Sequence, residues 1–185
     1  MKRIIAVSLL VLFLCGCGGS AQLNNVMKLR DYLLKTDGCT FCAHITADYG
    51  DAIYTFAVDC SIDQTGSMTF SVVSPESIKG IEGNIDGDKG TLTFDDEALL
   101  FELMTDNLLS PICAPWVAMN ALRSGYIQSC GVDGEYIKIL LDDSYAANTF
   151  QVTFWTTKDM MPSAAEISWQ NRRFLTIAFT SFSYM

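Results

Sequence analysis

Between residues 41 and 72 the chain changes character every second residue, and this alternation constrains its fold more than any other feature. Phe41, Ala43, Ile45 and Ala47 alternate with Cys42, His44, Thr46 and Asp48; Tyr54, Phe56, Val58 and Cys60 then alternate with Thr55, Ala57 and Asp59. A period of two places successive side chains on opposite sides of an extended backbone, so each run predicts a strand with one apolar face. Met68, Phe70 and Val72 repeat the pattern, and Gly50-Asp51 and Thr65-Gly66 separate the runs, which makes an antiparallel meander. Further strands are predicted over 90–94, 99–103, 126–130, 136–141, 149–155, 166–169 and 173–182. Two segments carry helical spacing instead. Leu23, Val26, Met27, Leu33 and Leu34 predict an amphipathic helix over 22–35, with Ser20 as its cap and Gly38 ending it. Pro115 opens a shorter helix reaching Arg123, at the position where a missing N–H costs least. The fold class is α+β and antiparallel.

The amino terminus is a separate unit. Lys2 and Arg3 precede an uncharged, largely apolar run from Ile4 to Leu14, the charged and apolar regions of an export signal. The run is shorter than the roughly 20 residues a spanning helix needs. Its end, Leu14-Cys15-Gly16-Cys17, resembles the bacterial lipobox. That resemblance implies cleavage before Cys17, loss of Cys15, and acyl chains such as palmitate on Cys17. The expected organisation is a signal peptide over 1–16, a lipidated cysteine and tether over 17–21, and one domain over 22–185. More than one acyl chain gives stable anchoring, which places the protein on the extracytoplasmic side of a cell membrane or outer membrane. Removing Lys2 and Arg3 leaves 10 basic against 21 acidic residues, a balance of −11. A surface this acidic excludes nucleic-acid binding, which needs clustered Lys and Arg.

The order helix, meander, excursion, strands, helix, closing strands, with "VVSPESIKGIEG" at 72–83, "APWVAMNAL" at 114–122 and "YIKILLDD" at 136–143, resembles the bacterial lipoprotein carriers LolA and LolB and their Gram-positive relatives. The resemblance implies a half-barrel: a strongly curved antiparallel sheet wrapped around helices, with an apolar concavity that in the carriers holds acyl chains. Aromatic-rich strand faces supply its candidate lining, namely Tyr54, Phe56, Val58, Phe70, Val72, Phe150, Val152, Phe154, Ile177 and Phe179. The same residues would equally fill a closed core against the helices. Two functions follow from the two alternatives. An open concavity makes the protein a binder of an acyl chain or other apolar ligand; a filled one makes it an adaptor or activator for a cell-envelope protein.

The cysteines leave a third reading open. With Cys17 acylated, Cys39, Cys42, Cys60, Cys113 and Cys130 remain, an odd number in a compartment that permits disulfides. A two-residue Tyr49-Gly50 turn would make facing residues of the first hairpin sum to 99, setting Cys39 opposite Cys60 as a disulfide. Cys113 and Cys130 flank the second helix and its following strand and form the second expected bridge. Cys42 is then a free thiol, two residues from the only histidine, His44. Cys39-Thr-Phe-Cys42 also reads as a redox Cys-x-x-Cys, but it leads into a strand rather than the helix N-terminus that lowers a thiol pKa. Cys39, Cys42, Cys60 and His44 could supply four zinc ligands, although one short hairpin offers poor geometry for them.

Other polar clusters point to turns. In "NIDGDKGTLTFD", Asn84, Asp86 and Asp88 alternate as in a calcium loop, yet Lys89 stands where an EF-hand needs Gly and Asp95 where it needs Glu. A glycine-rich hairpin turn fits better. Asp95-Asp96 and Asp142-Asp143 are adjacent pairs with no separation held across a cleft, and Trp116, Trp155 and Trp169 read as core anchors. The sequence thus predicts no catalytic residue, no metal and no cofactor.

Overall fold

The computed structural model describes residues 18–95, 97–105, 108–144 and 149–185. The expected signal peptide, 1–16, and Cys17 lie outside the described residues. A first helix, α1 (Gly18–Lys35), leads into β1 (Gly38–Asp48), β2 (Ile53–Asp63), β3 (Met68–Ser74), β4 (Glu82–Asp86), β5 (Lys89–Phe94) and β6 (Glu97–Glu102). Two short strands, β7 (Met104–Thr105) and β8 (Leu108–Leu109), and a single 3-10 turn precede α2 (Ala114–Ser124). The chain closes with β9 (Tyr126–Asp133), β10 (Tyr136–Asp142), β11 (Gln151–Thr156), β12 (Pro162–Trp169) and β13 (Arg172–Tyr184).

Eleven strands make one antiparallel sheet in the order β6-β5-β4-β3-β2-β1-β13-β12-β11-β10-β9, and β7 pairs with β8 alone. The last strand closes on the first: Ala43 faces Phe179 and Ile45 faces Ile177. One meander therefore runs outward from this central pair to β6 and the other to β9. The expected half-barrel does not form, because the sheet is neither strongly curled nor closed and its outer strands do not meet. Closure needs the edge strands to pair with a consistent stagger; here the two meanders diverge from the middle.

The core lies on one face. Odd-numbered residues of β1 and even-numbered residues of β2 and β3 are buried together, as the alternation requires. Helix α2 packs over β10 to β13, while α1 packs against β9 and α2, burying Val26, Leu29 and Leu33. Two arginines fasten the helices. Arg30 donates to the carbonyls of Leu122 at 2.9 Å and Gly125 at 2.9 Å, satisfying acceptors at the end of α2 that no helical N–H reaches. Arg123, 8% exposed, donates to the Gln64 carbonyl at 2.8 Å in the β2–β3 turn.

The expected disulfides are absent, and the described cysteines are free thiols. In the first hairpin Asp48 faces Ile53, so facing residues sum to 101 and Cys39 stands opposite Ile62, with Cys60 opposite Phe41. The reason is local. A four-residue loop replaces the two-residue turn, held by the Tyr49 N–H on the Ala52 carbonyl and by the Gly50 N–H on the Asp48 carboxylate at 2.8 Å. Diagonal neighbours on one face stand roughly 7–8 Å apart at Cα, beyond what a disulfide spans. The Cys113–Cys130 bridge fails too: Cys113 is buried at the start of α2 and Cys130 sits on β9 opposite Ile139.

Candidate functional site

A cleft of about 480 Å³ opens between the β4–β5 turn, the end of β6 and the first turn of α2. Its apolar lining comes from Leu103 and Met104 after β6, Leu109 of β8, Trp116 and Val117 of α2, and Phe150 before β11. Asp88, Lys89, Glu102 and Asp143 supply its polar groups. Each wall has an identifiable support. The Tyr49 hydroxyl donates to the Leu109 carbonyl at 2.7 Å, and Trp116 Nε1 donates to the Gly66 carbonyl at 2.9 Å. Leu103 offers its carbonyl to the Ser110 N–H at 2.9 Å, which folds β7 and β8 back over the cleft. Asp143 accepts from the Phe150 N–H at 2.9 Å; burial pushes its carboxyl above the usual range, against the lowering effect of this bond.

The residues predicted to line an apolar concavity are mostly buried and in mutual contact. Nine of them, Phe56, Val58, Phe70, Val72, Phe150, Val152, Phe154, Ile177 and Phe179, belong to one buried cluster. Phe154 stacks on Phe179 with centroids 5.4 Å apart, Phe179 meets Phe41 at 5.3 Å, and Phe150 meets Trp169 at 5.3 Å and Phe174 at 5.9 Å. Tyr54 departs from the set: it is 55% exposed, at the end of β2 beside the hairpin loop.

The thiol readings separate in the same way. Cys39 points into the core and Cys42 to the opposite face, so the sheet itself divides the two halves of Cys-x-x-Cys. Burial raises the Cys39 thiol to about 11, offset in part by the Arg123 charge, and raises Cys113 to about 12. Burial also raises Cys60, with the nearby Cys42, Asp59 and Cys39 adding to it. Cys42 faces Asp59 on β2 and Thr180 on β13; partial burial and its hydrogen bond with Asp59 push its pKa up as well. Raised values disfavour the thiolate that nucleophilic and redox chemistry requires. His44 faces Ala57 and Ala178, which offer no orienting group. No group of three His, Cys, Asp or Glu suited to a metal occurs among the described residues. The calcium-like segment is β4, a two-residue turn and β5; Asp86 faces Lys89, and Gly87 takes the positive φ of 62° that such a turn requires.

A wider recess of about 940 Å³ lies on the other face, across β1 to β5. Cross-strand register builds it from rows: Thr40, Ser61, Thr69, Asn84 and Thr91 in one, Cys42, Asp59, Ser71, Glu82 and Thr93 in the next. Hydroxyls and carboxylates are what the solvated face of an antiparallel sheet presents.

Sequence reasoning missed the cleft because its walls come from five separate segments. It also missed Arg30 and Arg123, whose partners are backbone carbonyls and leave no trace in residue type. The one legible trace was Trp116, read as an anchor and found holding the β2–β3 turn.

No protein-family model matches the chain, and no curated protein matches it. Solved structures do. A LolA superfamily protein of Nitrosomonas europaea is 8% identical, over 88% of this chain and 93% of that one, with a TM-score of 0.49. The Mycobacterium tuberculosis lipoprotein LppX is 12% identical over 88% and 93%, at 0.43. The MucA/MucB complex of Pseudomonas aeruginosa gives 8% identity over 86% of this chain and 57% of that one, at 0.41. The likeness is to the LolA/LolB-type fold at low sequence identity. No described helix is long and apolar enough to cross a membrane.

Proposed function

We propose that this chain is a non-enzymatic bacterial lipoprotein, held at the extracytoplasmic face of a membrane through acylated Cys17, that acts as an adaptor for a cell-envelope protein. The observation that carries this reading is the filled core: the aromatic faces that would line an acyl-chain cavity are stacked on one another. The raised thiol pKa values argue against redox chemistry. The anchor reading is tested by replacing Cys17 with Ala and fractionating cells; the variant leaves the membrane, and its retention there would refute the anchor. The adaptor reading is tested by native mass spectrometry of the same variant, which is expected to carry no lipid and to take up no fluorescent fatty acid.

A second reading rests on the cleft. At about 480 Å³ it falls within the range of small-ligand pockets, and Leu103, Met104, Leu109, Trp116, Val117 and Phe150 give it an apolar floor. A short apolar ligand bound there would quench Trp116 fluorescence, and Val117→Trp would abolish the signal by filling the site.

A further inference from the structure

Strand β6 ends the sheet in an unusual way. It pairs with β5 along its whole length, without a bulge, and with no other described strand. Its outer side therefore presents unpaired backbone donors and acceptors to whatever lies beside it. Such an edge is ordinarily blunted by Lys, Pro, a bulge or a cover, because it is a template for another strand. Between its terminal glutamates, Ala98-Leu99-Leu100-Phe101 carries no charge and no Pro, its pairing has no bulge, and no other described strand covers it. Leu99 is 64% exposed and Leu100 79% exposed, and as consecutive strand residues they point to opposite faces. The strand is also rigidly backed. Phe101 stands over Gly90, where a β-carbon would lie 2.1 Å from its ring, so aromatic and glycine interlock across β5 and β6.

We infer that the β6 edge is a docking site for an extended segment of another protein, an apolar stretch with Lys or Arg at each end, added to the sheet as a twelfth strand. This rests on the adaptor reading and names the chemistry of its partner. Charge decides the occupant. Residues 82–102 hold seven acidic side chains and one basic, Lys89, and glutamates stand at both ends of β6. A second copy of this chain would have to pair antiparallel about a two-fold axis. The register that faces Leu99 with Leu100 of the copy also faces Glu97 with Glu102, and like charges directly opposite destabilise a ladder. A segment with basic ends removes both repulsions. Backbone hydrogen bonds then supply affinity, Leu99 and Leu100 supply apolar contact on the two faces, and the glutamates set register.

The test uses the detergent-solubilised full-length protein and two labelled peptides, SKVTVVKS and SEVTVVES, with binding read by fluorescence anisotropy. The Lys-ended peptide is expected to bind at least about tenfold more tightly than the Glu-ended one. Leu100→Lys should weaken it by a similar factor while leaving the melting temperature unchanged, since the side chain is solvent-exposed. N-methylation of alternate peptide residues should abolish binding if strand pairing is responsible. Equal affinity for both peptides, or undiminished binding by Leu100→Lys, overturns the inference. So does concentration-dependent dimerisation of the protein that Leu100→Lys abolishes, because the occupant would then be a second copy. Co-purified lipid would overturn the adaptor reading instead, leaving the peptide result to stand by itself.

Discussion

The sheet has two ends, and they are built on different terms. At β9 a helix lies against the outermost strand: α1 packs on it, and a register shift between Leu140 and Leu141 bulges its pairing with β10. Its middle, Gln128-Ser129-Cys130-Gly131, is polar or small, and its exposed apolar side chains, Tyr126 and Val132, stand apart near its two ends. At β6 the pairing has no bulge, no described helix packs as α1 does at β9, and two exposed leucines stand between two glutamates. The two ends thus differ in packing, regularity and charge, and an open apolar edge such as β6 is a template for another strand.

The contrast can be broken from the guarded side. Leu33 is 2% exposed and belongs to the stripe that seats α1. Leu33→Ala should cost about 2–5 kcal/mol, measured by denaturant unfolding, and should also increase proteolysis near β9 while leaving β6 peptide binding intact in the folded fraction. A smaller loss follows from raising pH. Thiols whose pKa is higher in the fold than in the unfolded chain contribute stability that is fully present below the ordinary value of 9.0. That contribution is lost as pH rises through about 11 for Cys39 and about 12 for Cys113. Melting temperature should therefore fall from pH 9 upward, and Cys39→Ala should remove on the order of 2 kcal/mol of that loss between pH 9 and 11. Both edges should loosen together in that window, because these thiols sit in the shared core.

Arg30→Ala sharpens the comparison further. It removes the bonds from α1 to the end of α2, and should cost about 1–2 kcal/mol, with hydrogen exchange rising at β9 and at the C-terminal turn of α2 only. The smallest effect on stability belongs to Leu100→Lys, within about 0.5 kcal/mol, although it converts the bare edge into a guarded one.

Alternation made most of the fold legible. Every strand predicted from the sequence is present, usually within a few residues, because period two reports a half-buried strand whatever its partners. What alternation cannot report is pairing at a distance. The union of β1 with β13 joins the two ends of the described chain, and from it follows which strands become edges. Strand β4 is not among the predicted strands, and its Asn84–Asp86 falls in the predicted hairpin turn, because its one buried residue, Ile85, shows no period. The hairpin register slipped by two residues since the Asp48 carboxylate, holding the Gly50 N–H, stabilises a longer loop than the dipeptide suggested. That slip alone turned Cys39 and Cys60 from partners into diagonal neighbours. The apolar faces themselves were found in the sequence, whereas their mutual stacking depends on the angle between strands, so cavity and filled core looked alike. The cleft was illegible for a related reason: Leu103, Leu109, Trp116 and Phe150 meet only after β7 and β8 fold back.

Amide hydrogen exchange on the full-length protein, with and without the Lys-ended peptide, tests the two-edge account most directly. The account predicts fast exchange along one set of alternate β6 amides in the free protein, protection of those amides when peptide is added, and no change at β9. Protection appearing at β9, or around Leu103 and Trp116 instead of Leu99 and Leu100, would contradict it.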